Sequence, residues 1–201
     1  MSKINDIRVY KEPFERLQEW ISFFEKQDIV DSNAMSLCTA TADGIPSSRM
    51  VLLKGLDERG PVFYTNMQSR KGEEIKANPN AALLFYWRNP GRQVRMEGIL
   101  EQVSDEEADA YYNSRPKGSR IGAWASKQSR PLESPHALEK EVAKWTAKFA
   151  TSKVERPPYW TGQRMIVKRF EFWQAGKFRL HQREIYLKTE DNQWAIERLY
   201  P

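Results

Sequence analysis

Apolar and polar positions change period several times along the chain, and the changes mark its elements. Residues 13–27 place Phe14, Leu17, Ile21 and Phe24 at helical spacing behind Pro13, which predicts an amphipathic helix with a packed face. Residues 34–41 predict a strand ended by the ADG turn at 42–44. Met50 to Leu53 form an apolar, β-prone stretch between Arg49 and Lys54, and the DERG turn at 57–60 leads into a return strand at Val62, Phe63, Tyr64 and Thr65. Ser69 opens a helix that ends near Asn78-Pro79. The nearly continuous apolar run Ala81 to Trp87 is consistent with a buried strand. After the Asn89-Pro90-Gly91 turn, Arg92 to Val103 alternate, with Gln93, Arg95 and Glu97 on one face.

The second half begins with helices. Ser104 caps one over 105–114, and Ser119 begins a short one over 119–126. A mostly polar helix over 135–150 carries Leu138, Val142, Trp145 and Phe149 on one stripe, expected to dock on a neighbour. Beyond Pro157-Pro158, strands are expected at 163–173, 178–188 and 193–199, joined by QAGK and TEDN turns. Short strands joined by tight turns point to one mainly β (α+β) domain over 1–201, built as an antiparallel barrel and not a doubly wound sheet.

Composition narrows the function classes. The net charge is +5, but Lys and Arg are spread among acids with no basic tail, so nucleic acid is not the expected partner. Cys38 is the single cysteine and sits in an apolar run, where it is expected to be small and buried. With two histidines and no Cys/His cluster, no metal site is expected. No apolar stretch has the length of a membrane span and no leader pattern appears, so a cytoplasmic protein is expected.

Three groups carry candidate chemistry. Arg70 and Lys71 lie in the first turn of the helix opened by Ser69, where free backbone N–H groups and two cations suit a phosphate; the plain alternative is a solvated basic turn. Tyr111 and Arg115, four apart on one helical face, and Ser119 beyond them supply a phenol, a guanidinium and a hydroxyl that could converge on one anion; the alternative is a capped helix end with an exposed arginine. Arg179, His181 and Arg183 alternate, so a regular strand would point all three to one face, either into solvent or along the wall of an anionic site.

These groups fall within a longer series of short motifs. RMVLLK at 49–54, YTN at 64–66, SRK at 69–71, RQV at 92–94, YYNSRPKGS at 111–119, IGAWASKQS at 121–129, EFWQ at 171–174 and RLHQR at 179–183 occur in one order. From about residue 31 onward the chain resembles the pyridoxine (pyridoxamine) 5′-phosphate oxidases. The resemblance implies a split antiparallel β-barrel with flanking helices, working as a homodimer with FMN at sites between the subunits. It implies FMN contacts at Arg49, Met50, Val51, Leu52, Leu53, Lys54, Tyr64, Thr65, Arg70, Lys71, Gln93, Gln128, Ser129, Trp173 and Arg183. It further implies that Lys54, Tyr111, Arg115 and Ser119 clamp the substrate phosphate, with Arg179, Leu180 and His181 against the substrate ring and Arg179 and His181 catalytic. The implied reaction converts pyridoxamine or pyridoxine 5′-phosphate to pyridoxal 5′-phosphate with O2, releasing hydrogen peroxide.

Two departures stand out. The chain has RLHQR where the family usually has RLHDR; on a regular strand Gln182 would face away from Arg179 and His181, so little effect is expected. Only about a dozen residues (the arm 1–12, with Arg8 and Tyr10) precede the first helix, against a longer arm in family members, so substrate closure is expected to be weaker or supplied differently. The competing reading is a non-catalytic FMN or pyridoxal-phosphate carrier on the same fold; a related oxidase with another substrate is a further one.

Overall fold

The computed structural model describes residues 12–27 and 31–201. Apart from Glu12, the N-terminal arm with Arg8 and Tyr10 lies outside the described residues. The elements run α1 Pro13–Glu25, β1 Ala34–Ala40, β2 Pro46–Leu52, β3 Gly55–Asp57, β4 Gly60–Asn66, α2 Arg70–Ala77, β5 Asn80–Trp87 and β6 Arg92–Gln102. They continue with α3 Asp105–Ser114, α4 Lys117–Ala125, α5 Ala137–Lys148, β7 Trp160–Gln174, a 3-10 turn at Lys177–Arg179, β8 Gln182–Lys188 and β9 Trp194–Leu199. Every strand pairing is antiparallel, in the order β2-β1-β5-β6-β7-β4-β3, with β8 on β7 and β9 on β8. The curled sheet with flanking helices is the expected split barrel. No helix among the described residues is long and apolar enough to cross a membrane.

Helix α1 fills the hollow of the sheet. Leu17, Ile21 and Phe24 recur one turn apart and are buried, and Phe24 stacks on Trp87 at 4.6 Å. Each such side chain removed from water contributes roughly 1.5–3 kcal/mol. Two of the three helix-start serines act as expected, Ser69 accepting from Gly72 N and Ser104 from Glu107 N, whereas α4 begins at Lys117 behind Pro116, two residues before Ser119.

Strand β7 is the spine. Its first residues pair with β4 and its last with β8, while β6 runs along nearly all of it. Register against β6 slips at Glu97/Gly98, leaving the exposed Lys168 as the extra residue on β7. Before the bulge Met165 and Val167 enter the core; after it Phe170 and Phe172 do, so the inward parity changes from odd to even. The bulge also needs Gly98, where an added Cβ would lie 2.1 Å from the Ile166 carbonyl oxygen.

Four expectations change. Strand β5 is not buried on both faces: Leu83, Phe85 and Trp87 point inward while Tyr86 is 59% exposed, because helix α1 covers one side only. The stripe on α5 docks only in part, since Trp145 and Phe149 pack with Trp124 while Leu138 and Val142 stay exposed. Cys38 is half-buried. Most consequentially, residues 178–181 are not strand: Phe178 and Arg179 both take positive φ (56° and 64°), and β8 begins only at Gln182. The alternation of Arg179, His181 and Arg183 on one strand face therefore does not exist. Gln182 accordingly has no strand face opposite Arg179 and His181; it is exposed at the first β8 position.

Candidate active site

A cleft of about 460 Å³ opens where β2, β4, α2, α3 and α4 meet. It is lined by Met50, Val51, Leu52 and Lys54 from the β2 end, Tyr64 and Thr65 from β4, Lys71 from α2, Tyr111, Arg115 and Ser119 from the α3–α4 corner, and Gln128. All eleven were expected site residues. Asn66, Gly122, Ala123, Ser126 and Trp160 also line it and were not expected; IGAWASKQS, which spans three of them, held the available sequence signal.

One wall is an aromatic stack. The Tyr64 and Tyr111 rings lie 3.9 Å apart at 16°, and Trp160 continues the stack 5.3 Å from Tyr64. Gly162 makes room for it, since a Cβ there would lie 2.8 Å from both Tyr64 Cε1 and Val103 Cγ2. Burial, with Glu107 and Tyr111 nearby, pushes the Tyr64 phenol up to about 12, and burial raises Tyr111 as well. Both remain protonated hydrogen-bond donors at neutral pH.

Arg115 is not in the α3 helix, as the spacing suggested, but caps its end in extended conformation. Its guanidinium lies 4.8 Å over Trp160, and Nη1 is buried without a hydrogen-bond partner. Burial lowers its pKa, partly offset by Tyr111 and Tyr112, yet a guanidinium stays charged. A buried cationic nitrogen lacking an acceptor, beside Tyr111 and Ser119, fits a ligand anion.

The second donor group surrounds the α2 start. Lys71 Nζ donates to Thr65 Oγ1 (3.2 Å), Ser69 Oγ (3.3 Å) and Gln128 Oε1 (3.3 Å). Burial and the charge of Arg49 lower its pKa, with Glu74 opposing. Arg49 and Arg70 do not line the cleft; both pair with Glu74, a buried carboxylate that reads in sequence as one more polar helix residue. The donor set around Lys71 suits a phosphate, as an FMN site requires.

The remaining expected residues lie elsewhere. Leu53 is in the core, and Ser129 follows Gln128 at a positive φ of 68° without lining the cleft. Gln93, Trp173 and Arg183 stand side by side across β6, β7 and β8. Arg183 Nε donates to Glu171 Oε1 (2.8 Å), and the His181 ring packs 4.7 Å from Trp173. Gly176 N donates to His181 Nδ1 (3.2 Å), the tautomer that carries its proton on Nε2. Phe178 (91%) and Leu180 (67%) are exposed on the same loop. Gly176 permits this turn, because its Cβ would fall 1.9 Å from the Leu180 carbonyl oxygen. None of Gln93, Trp173, Arg179, Leu180, His181 and Arg183 lines the 460 Å³ cleft.

A split barrel with two phosphate-suited donor groups around one cleft defines the class of the FMN-binding split-barrel proteins. Residues 21–149 match the family described as pyridoxamine 5′-phosphate oxidase, and residues 160–201 match the one described as the pyridoxine 5′-phosphate oxidase C-terminal dimerisation region. The chain belongs to the pyridoxamine 5′-phosphate oxidase family. It is 52% identical over 198 residues to a pyridoxine/pyridoxamine 5′-phosphate oxidase of Brucella canis, covering 98% of each chain. Among solved structures, PhzG of Burkholderia lata, in complex with tetrahydrophenazine-1-carboxylic acid, superposes with a TM-score of 0.92 at 31% identity, over 99% of this chain and 98% of its own. A pyridoxamine 5′-phosphate oxidase-related, FMN binding protein of Nostoc punctiforme shares the fold, with a TM-score of 0.75 at 17% identity over 96% of this chain and 100% of its own.

Proposed function

We propose that the protein is an FMN-dependent oxidase that converts pyridoxamine or pyridoxine 5′-phosphate to pyridoxal 5′-phosphate, with O2 as acceptor and hydrogen peroxide as product. The observation that carries this reading is the gathering of Lys54, Tyr111, Arg115 and Ser119 in the same cleft as Lys71, Thr65 and Gln128. Two phosphorylated ligands require two such donor sets, and 52% identity to a named oxidase over nearly the whole chain supports the assignment.

Lys54, Arg115, Tyr111 and Ser119 hold the substrate phosphate, with the unpartnered Arg115 Nη1 donating to a phosphate oxygen. Lys71, Thr65, Gln128 and the free ends of Arg70 hold the phosphate of the cofactor. FMN held there would supply a two-electron acceptor for the hydride leaving C4′, with O2 as the terminal oxidant. The amine substrate thereby becomes an imine that water hydrolyses to aldehyde and ammonia; the alcohol gives the aldehyde directly.

Arg179, Leu180 and His181 sit on an exposed loop outside the cleft. In a homodimer joined through the matched C-terminal region, this loop completes the other subunit's cleft, with Arg179 and the His181 Nε2–H donating to the substrate ring. Gln93, Trp173 and Arg183 approach the same cofactor from that side. Held in place, the substrate reacts mainly through orientation, an effect of several kcal/mol. The PhzG likeness favours one second reading, an oxidase of the same design with a non-phosphorylated aromatic substrate.

The test is turnover. FMN-loaded protein given pyridoxamine 5′-phosphate in air should release pyridoxal 5′-phosphate and peroxide together through many cycles. Bound flavin without turnover of either vitamer would overturn the oxidase in favour of a carrier or another substrate. Mixing Arg115→Ala with Arg179→Ala subunits tests the shared cleft: random reassortment should restore about one quarter of full activity. No recovery would mean that each loop serves its own cleft.

A further inference from the structure

Glu74 is the most completely hydrogen-bonded carboxylate beside the site, and the site residues alone do not account for it. It is 5% exposed and sits on α2. Thr39 Oγ1 donates to its Oε2 (2.5 Å), as do Ser47 Oγ (2.6 Å) and Arg49 Nη2 (3.2 Å). Arg70 Nε donates to Oε1 (2.9 Å). Burial alone would raise this carboxyl; the bonds from Ser47, Thr39 and Arg70 and the charge of Arg49 outweigh it and hold the pKa at about 2.

The two arginines divide differently. Arg49 is spent internally: Nη1 donates to the Leu37 carbonyl (3.1 Å) and Thr39 Oγ1 (2.6 Å), and Nη2 to Ser47 Oγ and Glu74. Only its Nε–H remains for a ligand. Arg70 gives Glu74 just its Nε, and its side chain is largely exposed. Its two terminal amino groups make no hydrogen bond among the described residues, which leaves them available as a fork.

We propose that Glu74 is a positioning residue for the cofactor phosphate: it grips Arg70 by Nε so that the two terminal amino groups face the phosphate, while screening Arg49 and Arg70 from each other. The proposal rests on the reading that this corner holds the FMN phosphate. The charges agree with it, since Arg49, Arg70 and Lys71 against Glu74 leave two positive charges (three minus one), and a phosphomonoester carries about −1.5 to −2 at neutral pH. Both carboxylate oxygens are taken up by donors on the protein side, and the three cations outweigh their charge toward the ligand.

The experiment compares FMN with riboflavin, which lacks the phosphate, by fluorescence titration of flavin-free protein. Glu74→Gln should raise the FMN dissociation constant about tenfold and change that of riboflavin by less than about twofold. Arg70→Met should do the same, and adding Glu74→Gln to it should cost FMN nothing further. Arg70→Lys, an exposed change that leaves the buried carboxylate in place, should behave like Arg70→Met, because one ammonium cannot serve carboxylate and phosphate as a fork does. This variant carries the test should Glu74→Gln fail to fold; wild-type selectivity for FMN in Arg70→Lys would overturn the proposal. So would independent, additive losses from Glu74→Gln and Arg70→Met, or equal weakening of both flavins by Glu74→Gln. If Arg70→Met and Lys71→Ala both leave the preference for FMN intact, the phosphate is not bound here, and the site reading falls together with the role of Glu74.

Discussion

Gly162→Ala isolates what the aromatic wall contributes. The added methyl would meet Tyr64 Cε1 and Val103 Cγ2 at 2.8 Å and Tyr64 Cδ1 at 3.1 Å. Carbon atoms prefer separations of about 3.5–4.0 Å, so the ring must give way by the better part of an ångström. It cannot retreat outward freely, because Tyr111 is stacked on it at 3.9 Å and Trp160 at 5.3 Å. Overpacking of this kind costs about 1–3 kcal/mol. For a chain of this size each kcal/mol lowers Tm by roughly 2–4 °C. Displacement of Tyr111 should also raise KM for the phosphorylated substrate while FMN, held mainly from the α2 side, is retained. Thermal unfolding and steady-state kinetics read the two effects separately. Val103→Ala removes one of the two collisions and should return part of the lost stability when combined with Gly162→Ala. An unchanged Tm and KM in Gly162→Ala would refute the tight stack, and strict additivity with Val103→Ala would refute the shared cause.

Other outcomes follow from single residues. Glu74 has its pKa held at about 2 in the folded chain against an ordinary 4.5, so the unfolded chain binds its proton first as pH falls. Its stabilisation is therefore complete above about pH 4.5 and lost progressively down to about pH 2, on the order of 3 kcal/mol in all. Urea unfolding across that range should show the gap between wild type and Glu74→Gln closing with acid; a constant gap would contradict the assignment. Gly176→Ala should collapse turnover while leaving FMN bound, because the new Cβ overlaps the Leu180 carbonyl and displaces Arg179 and His181; normal kcat would show that this turn is irrelevant to chemistry. Arg115→Ala should lower kcat/KM by about 10–100-fold, the worth of one or two charged hydrogen bonds, without altering FMN affinity. Equal loss of both would move Arg115 to the cofactor.

The strands and the Ser69 and Ser104 caps were legible in the sequence because each depends on local chemistry, side-chain period or turn residues, whereas the cleft group, drawn from β2, β4, α2 and the α3–α4 corner, was legible only through the family resemblance. Lys54, Tyr64, Lys71, Tyr111 and Arg115 converge as their motifs suggested. What was not legible depends on contacts across the fold. RLHQR alternates as a strand would, but the close approach of Gly176 to Leu180 and two residues of positive φ turn it into a loop. Glu74 and Glu171 look like surface acids until β1 and β2 in one case, and β6 and β8 in the other, bring arginines and hydroxyls to them. Trp160 gave no signal because its partners, Tyr64 and Tyr111, are about 50 to 100 positions away.

The unpaired Lys168 acts on β7 as a frameshift does on a message. Upstream of it the strand is read with odd positions inward, downstream with even ones, and both readings make sense only because one residue is left over. Deleting Lys168 would remove the bulge and leave Phe170 two positions from Val167 on a regular strand, still facing inward; keeping Lys168 but forcing it into the ladder would turn Phe170 and Phe172 to the outside and drive Glu171 and Trp173 into the core. Charge reversal or truncation at Lys168 itself would do nothing of the kind, since its exposed side chain is incidental. At this position the ladder requires only that an extra residue, whatever its side chain, be left out of the pairing. Substitution scans would pass over it as neutral, while a variant that pairs Lys168 in the ladder would turn the Trp173 end over relative to the cleft lined at Trp160.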